Sequence, residues 1–155
     1  MLINTTRFGE IEISEDSILH MPWGMLGFES CKRYVLLQDQ PETPYKWLQA
    51  VDDPALAFIV INPLDFFPDY DIDLPEEDAE SIGLRDPADA ALMTTVTVDK
   101  KEGRVTTNLL GPIVINSDNL HAKQVVLQDE RYGTKHMVAE KASINTDLGV
   151  AANAA

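Results

Sequence analysis

The sequence predicts a mainly β protein: a small antiparallel β-barrel-like domain, a roll or pseudo-barrel, with one or two short helices. Three observations carry this. Many short runs of β-branched and aromatic residues are set apart by turn residues at close intervals. The regular βα alternation of a doubly wound sheet is missing, and only one stretch near the middle has the composition of a helix. A chain of 155 residues with a single cysteine, Cys31, is long enough to bury a core without disulfides or a structural metal. Residues 1–142 are expected to form one domain. Residues 143–155, ending GVAANAA, have little to bury and are expected to be a mobile tail.

Taken in order, EIEI (Glu10 to Ile13) alternates polar and apolar side chains, and SILH (Ser17 to His20) reads as a second brief strand. HMPWGMLGFE, residues 20–29, is too broken by proline and glycine for a helix. It reads as a rigid connector. Pro22 restricts its entry, Gly24 and Gly27 make its bends, and Trp23 and Phe28 pin it to the core, with an exposed side left for binding. YVLLQ (Tyr34 to Gln38), KWLQAV (Lys46 to Val51) and AFIVI (Ala57 to Ile61) are strands, the last ended by Asn62–Pro63. Asp73 is expected to cap a short helix that starts near Pro75 and stops at Gly83. ALMTTVTV (Ala91 to Val98) and RVTTNLL (Arg104 to Leu110) flank a polar loop ending in Gly103, the strongest hairpin signal in the chain. IVIN (Ile113 to Asn116) resumes after Gly111–Pro112. AKQVVLQ (Ala122 to Gln128) is another strand, and KHMVAE (Lys135 to Glu140) is expected to pair back on it.

Charge narrows the function classes. Twelve basic against 26 acidic residues give a formal net charge of -14. That field disfavours direct contact with nucleic acid or an anionic membrane and favours a basic protein partner. No run of apolar residues is long enough to span a bilayer, and the opening residues do not read as an export signal; a cytoplasmic protein is expected. Ten of the acidic residues and one basic residue, Arg85, fall between Asp65 and Asp89.

Catalytic patterns are weak. His20, His121 and His136 show no metal-ligand spacing, and Cys31 stands without a paired base. Asp69, Asp71 and Asp73 repeat at spacing two, but the central glycine and closing glutamate of a calcium loop are missing. WGMLG is not a phosphate cradle. No enzyme activity, cofactor or metal is expected. Phe66, Phe67 and Tyr70 sit among these carboxylates, either as plugs for the end of the barrel or as contact anchors. The residues therefore nominate Trp23, Phe28, Phe66, Phe67, Asp69, Tyr70, Asp71 and Asp73 for protein binding. A small-molecule-binding barrel, its pocket capped by residues 65–73, is the alternative. It requires a hollow interior with convergent polar groups, whereas an interaction protein requires a filled barrel and an outer apolar patch.

The segments TRFGEIEI, MPWGMLGFE, KWLQAVDDPALAFIVINP, TNLLGPIVIN and QVVLQDERYGTKH, in this order and spacing, resemble the flagellar assembly factor FliW family. The resemblance implies a non-enzymatic cytoplasmic regulator with a small β-barrel-like fold. It implies two protein partners: the RNA-binding translational repressor CsrA, antagonised without competition for its RNA surface, and the carboxyl-terminal region of flagellin. Pro22, Gly24, Gly27, Trp47, Pro63, Asn108, Pro112 and Asn116 match as structural motif residues. Trp23 and Phe28 match as well, and the resemblance gives them membership without a role.

Overall fold

The structure is a computed structural model that describes residues 1–140. A two-stranded ribbon opens the chain: β1 (Leu2–Thr5) and β2 (Gly9–Glu12), with Thr5 turning the corner through its hydroxyl, which donates to the Gly9 carbonyl. The first of these strands is absent from the sequence reading, because LINT is too short to show a period. A 3-10 turn at Glu15–Ser17 then takes the first residue of the run expected as a strand, and with Ile18 as its C-cap β3 is left as Leu19–His20 alone. There follow β4 (Arg33–Leu37), β5 (Lys46–Ala50), β6 (Ala57–Ile61), α1 (Glu76–Ser81), β7 (Ala90–Asp99), β8 (Arg104–Thr107), β9 (Ile113–Asn116), β10 (Ala122–Gln124) and β11 (His136–Glu140). The tail expected at residues 143–155 lies outside the described residues.

The main sheet is antiparallel and curls through the order β10-β9-β7-β6-β5-β4-β3. Its two ends meet in a single parallel bridge between His20 and His121, where the His20 amide donates to the Leu120 carbonyl at 2.9 Å. The expected barrel-like fold is therefore present, joined along its seam by one residue pair. Alternate side chains of the strands fill the interior: Leu19, Tyr34, Leu48, Ala50, Phe58, Val60, Ile113 and Ile115 form one buried cluster with Met21 and Met25. The other faces are covered too. Ile3 and Ile13 of the ribbon pack with Val35 and Val51, Trp47 packs with Ile59 and Ile61, and Ile82 packs with Val114. Burial on both faces explains why AFIVI and residues 113–115 of IVIN are unbroken apolar runs.

The tyrosine at the heart of the interior is anomalous. Tyr34 is fully buried, and its hydroxyl meets no hydrogen-bond partner among the described residues. Burial pushes the phenol pKa upward, so the group stays neutral. An unsatisfied buried hydroxyl costs about 1–3 kcal/mol. Tyr34→Phe is therefore expected to raise the unfolding free energy by about 1 kcal/mol. A urea midpoint that falls instead would mean the hydroxyl has a partner.

Three expectations need correction. Asp73 does not cap α1: the N-cap position is Pro75, which has no side-chain acceptor, and Asp73 is exposed two residues earlier. The other end matches, with Gly83 at φ 68° donating to the Glu80 carbonyl and Leu84 to that of Ala79, a Schellman stop. β8 ends at Thr107 and not at Leu110, because the Asn108 side chain accepts from the amides of Leu110 and Gly111 and turns the backbone aside. Finally, β11 pairs with β8 and not with the strand before it. The Gly133 carbonyl accepts from the Leu109 and Leu110 amides, which carries the returning chain to the open edge of β8.

Candidate protein-docking surface

The decapeptide HMPWGMLGFE closes the barrel seam. Between β3 and β10 the sheet has only the His20–His121 bridge, and the loop folds into the remaining gap. Met21 and Met25 point inward and are almost completely buried. The Met21 amide donates to the Lys32 carbonyl at 2.8 Å, and the Leu26 amide reaches across to Oε1 of Gln124 at 2.9 Å. Gly24 has φ 62°, and the backbone of Phe28 and Glu29 occupies the space a β-carbon would take.

This reverses the expected roles of two residues. Methionines, not aromatics, anchor the loop. Trp23 is 47% exposed and Phe28 38% exposed. Phe28 keeps an edge contact to Phe58 at 5.4 Å between ring centres, so it is only partly a surface residue. Trp23 lies under the ammonium of Lys123, 4.6 Å from the ring centre, and Lys123 also pairs with Asp78 of α1 at 2.6 Å. The tryptophan at the seam is thus tied through one lysine to the acidic segment. Leu26 and Val126, neither nominated by the sequence, are exposed on the same two stretches that the Leu26–Gln124 hydrogen bond joins. A four-residue interval between Met21 and Met25 was the signal for inward anchors, and proline and glycine between them hid it.

The acidic segment folds over the outer face of β9, with Asn116 of that strand donating to the Ile82 carbonyl at 3.0 Å. Its aromatics are less available than its composition suggests. Tyr70 is 6% exposed, its hydroxyl donates to the Leu109 carbonyl at 2.7 Å, and its ring meets Tyr132 edge-on. Burial pushes its phenol pKa up as well. Tyr70 is a structural residue and not an exposed anchor. Phe66 packs on Tyr45 and Phe67 on His136, both half-buried and both outside the barrel interior, so neither plugs it. Asp69, Asp71 and Asp73 are exposed, and among the described residues no three of His, Cys, Asp and Glu are placed to hold a metal ion.

The motif residues have local jobs. Trp47 is buried under Phe8 and Arg7. Nε2 of the adjacent Gln49 donates among the carbonyls of Ala50, Asp53, Pro54 and Leu56, which fixes the DDP turn. Pro63 opens a 3-10 turn capped by Asn62, and Pro112 is buried before β9.

Among the described residues the barrel interior is packed with the buried cluster around Tyr34 and Leu48, which leaves no place there for the pocket required by a small-molecule barrel. A groove of about 700 Å³ lies on the outside, bounded by Leu64, Ile72, Leu74 and Leu84 on one wall and Ala90–Leu92 on the other. Its charged lining is Asp71 and Arg85, and the exposed Asp65, Asp73, Asp86 and Asp89 are chain neighbours of other lining residues; of the ten carboxylate residues between Asp65 and Asp89 only Asp78 is drawn in, toward Lys123. An apolar groove with an acidic rim suits a segment that carries both apolar and basic side chains. Among the described residues no helix is long and apolar enough to cross a membrane.

Comparison with known proteins agrees with this architecture. The family model described as FliW protein matches residues 2–138. The flagellar assembly factor FliW of Natranaerobius thermophilus is 42% identical over 137 residues, covering 88% of this chain and 91% of that one. The protein of the same name from Geobacter sulfurreducens is 42% identical over 143 residues, 92% of this chain and 89% of its own. A crystal structure of the flagellar assembly factor FliW superposes with a TM-score of 0.82 at 40% identity, covering 89% of this chain and 96% of that one. With the family model matched over residues 2–138 and relatives of about 40% identity over most of its length, the chain belongs to the FliW family.

Proposed function

We propose that this chain is a non-enzymatic flagellar assembly factor that works in the cytoplasm as a partner switch. Bound flagellin, held by its carboxyl-terminal region in a chaperone-like contact, leaves CsrA free to repress flagellin translation. Once flagellin is exported, the chain binds CsrA and relieves that repression. The observation that carries this reading is the acidic layer on a FliW-family fold, where nine exposed carboxylates of the 65–89 segment outnumber the cations near them, Arg85 and Arg131. Docked next to a basic RNA-binding surface, such a layer repels phosphate without occupying the RNA site. Neither a cofactor nor direct nucleic-acid contact has a part in this mechanism.

The test is CsrA–RNA affinity with and without this protein at rising salt. Screening shortens from about 10 Å at 0.1 M to about 3 Å at 1 M, so the fold-inhibition is expected to drop severalfold as salt is raised. Inhibition independent of ionic strength would favour a shape change in CsrA over electrostatic repulsion. A parallel three-way titration with CsrA and flagellin checks the switch itself. Failure to bind either protein would sink it.

A further inference from the structure

We propose that the outer groove receives an extended segment of a protein partner as an added strand beside the first half of β7; this rests on the partner-switch reading and assigns it a surface. The sheet leaves an edge open there. β6 pairs with β7 only through Ile59–Ile61 against Val96–Thr94, and the chain then turns away at Asn62–Pro63. β7 begins four residues before that pairing, at Ala90, and among the described residues those four pair as strand with β9 alone, the Pro63–Asp65 turn lying near β7 without a backbone hydrogen bond to it.

The direction of the free groups follows from the pairing. Asn116 donates to the His121 carbonyl, and the Pro112 carbonyl accepts from Val125, so these two residues bond toward β10. Ile113 and Ile115 therefore bond toward β7, where they face Met93 and Ala91. By alternation the N–H and C=O of Leu92 and the C=O of Ala90 point the other way, into the space that β6 has vacated. Ala90, Ala91, Leu92 and Asn62 all line the groove at that place. The Ala90 amide is already engaged, donating to the Pro87 carbonyl.

Two features select the occupant. Alternate side chains of an added strand would meet the apolar wall of Leu64, Ile72, Leu74 and Leu84, which gives a place to apolar residues at spacing two. The exposed carboxylates next to the lining residues along the chain outnumber the lining Arg85 and favour a basic segment through their field; its basic side chains take the positions between the apolar ones, on the other side of the added strand. A second copy of this chain is a poor occupant, since two bodies of net charge -14 repel. The partner segment is an extended run of alternating apolar and basic residues.

A blocked hexapeptide of alternating lysine and valine serves as the probe, followed by amide chemical shifts of the labelled protein. The expected result is a set of shifts confined to Ala90–Leu92 and the facing wall around Leu64. Binding should weaken at least tenfold when the valine amides are methylated, and by a similar factor when lysine is replaced by glutamate. Leu64→Asp, at a residue 45% exposed, should keep the fold and weaken both the peptide and at least one of CsrA and flagellin tenfold. Shifts elsewhere, or equal binding by the methylated peptide, would overturn strand addition. If wild-type protein binds its partners and Leu64→Asp leaves both unchanged, the groove is not their site. If wild-type protein binds neither, the partner switch fails, and the peptide shifts alone decide whether the edge accepts a strand.

Discussion

Gly24→Ala is expected to lower the unfolding free energy by about 3 kcal/mol or more, among the largest effects of any single methyl group in this chain. Two costs combine. The φ of 62° is left-handed, which for a residue with a β-carbon costs about 1–2 kcal/mol. The added carbon would also lie 2.7 Å from the Phe28 carbonyl oxygen and 2.7 Å from the Glu29 α-carbon. Both are backbone, so relief requires moving the seam loop and with it Met25. Gly27→Ala is the control: its φ is 87°, but no atom lies within 4 Å of the added carbon. It should lose only the conformational part, about 1–2 kcal/mol. Urea unfolding of the two variants side by side measures the difference. Equal losses would mean that the close approach at Gly24 costs nothing.

Under the proposed partner switch, Trp23→Ala is expected to leave the fold intact and to weaken binding of CsrA or flagellin about thirtyfold, close to 2 kcal/mol. The side chain is half out in solvent, and its main internal contact is the Lys123 ammonium, worth about 0.5–1 kcal/mol at an exposed site. Stability should therefore fall by less than about 1 kcal/mol. Loss of folding would restore the core-anchor role first expected for this residue. A binding constant unchanged for both partners would remove Trp23 from the docking surface. Phe28→Ala offers contrast, because the edge contact to Phe58 ties that ring to the interior cluster and its removal should cost stability as well.

Much of the fold was legible because most strands are long enough to show a period or a run. AFIVI is β6 to the residue, and the Asp99–Gly103 loop between β7 and β8 stands where its residues predict a hairpin. What was not legible is set by contacts between distant parts of the chain. Nothing local in KHMVAE distinguishes β8 from β10 as its partner; the Gly133 carbonyl makes that choice. AKQVVLQ shows the same limit from the other side. Its regular strand stops at Gln124, yet Val125 and Leu127 go on donating to the Pro112 and Leu110 carbonyls. The expected strand is real in its bonding and irregular in its geometry, because its partner passes through Gly111–Pro112. The docking surface was half legible. Acidity could be read from composition and Trp23 from the motif, but the exposure of Trp23 could not, and Tyr70 looked available until the fold gave its hydroxyl the Leu109 carbonyl. Leu64 and Leu92 became a groove only when β6 ended short of the start of β7.

The single-pair seam also sets an order of assembly. β3 through β7 form by successive antiparallel pairings of neighbours along the chain, across short connections except between β6 and β7, where residues 62–89 intervene. The last join is different: Leu26 and Gln124 are 98 positions apart. While the chain is being synthesised, the meander is already complete before residues 120–127 emerge. Met21 and Met25 then have one wall of their site and lack the other. Closure must come late, and the nascent protein spends that interval as an open sheet with its methionine plug unseated.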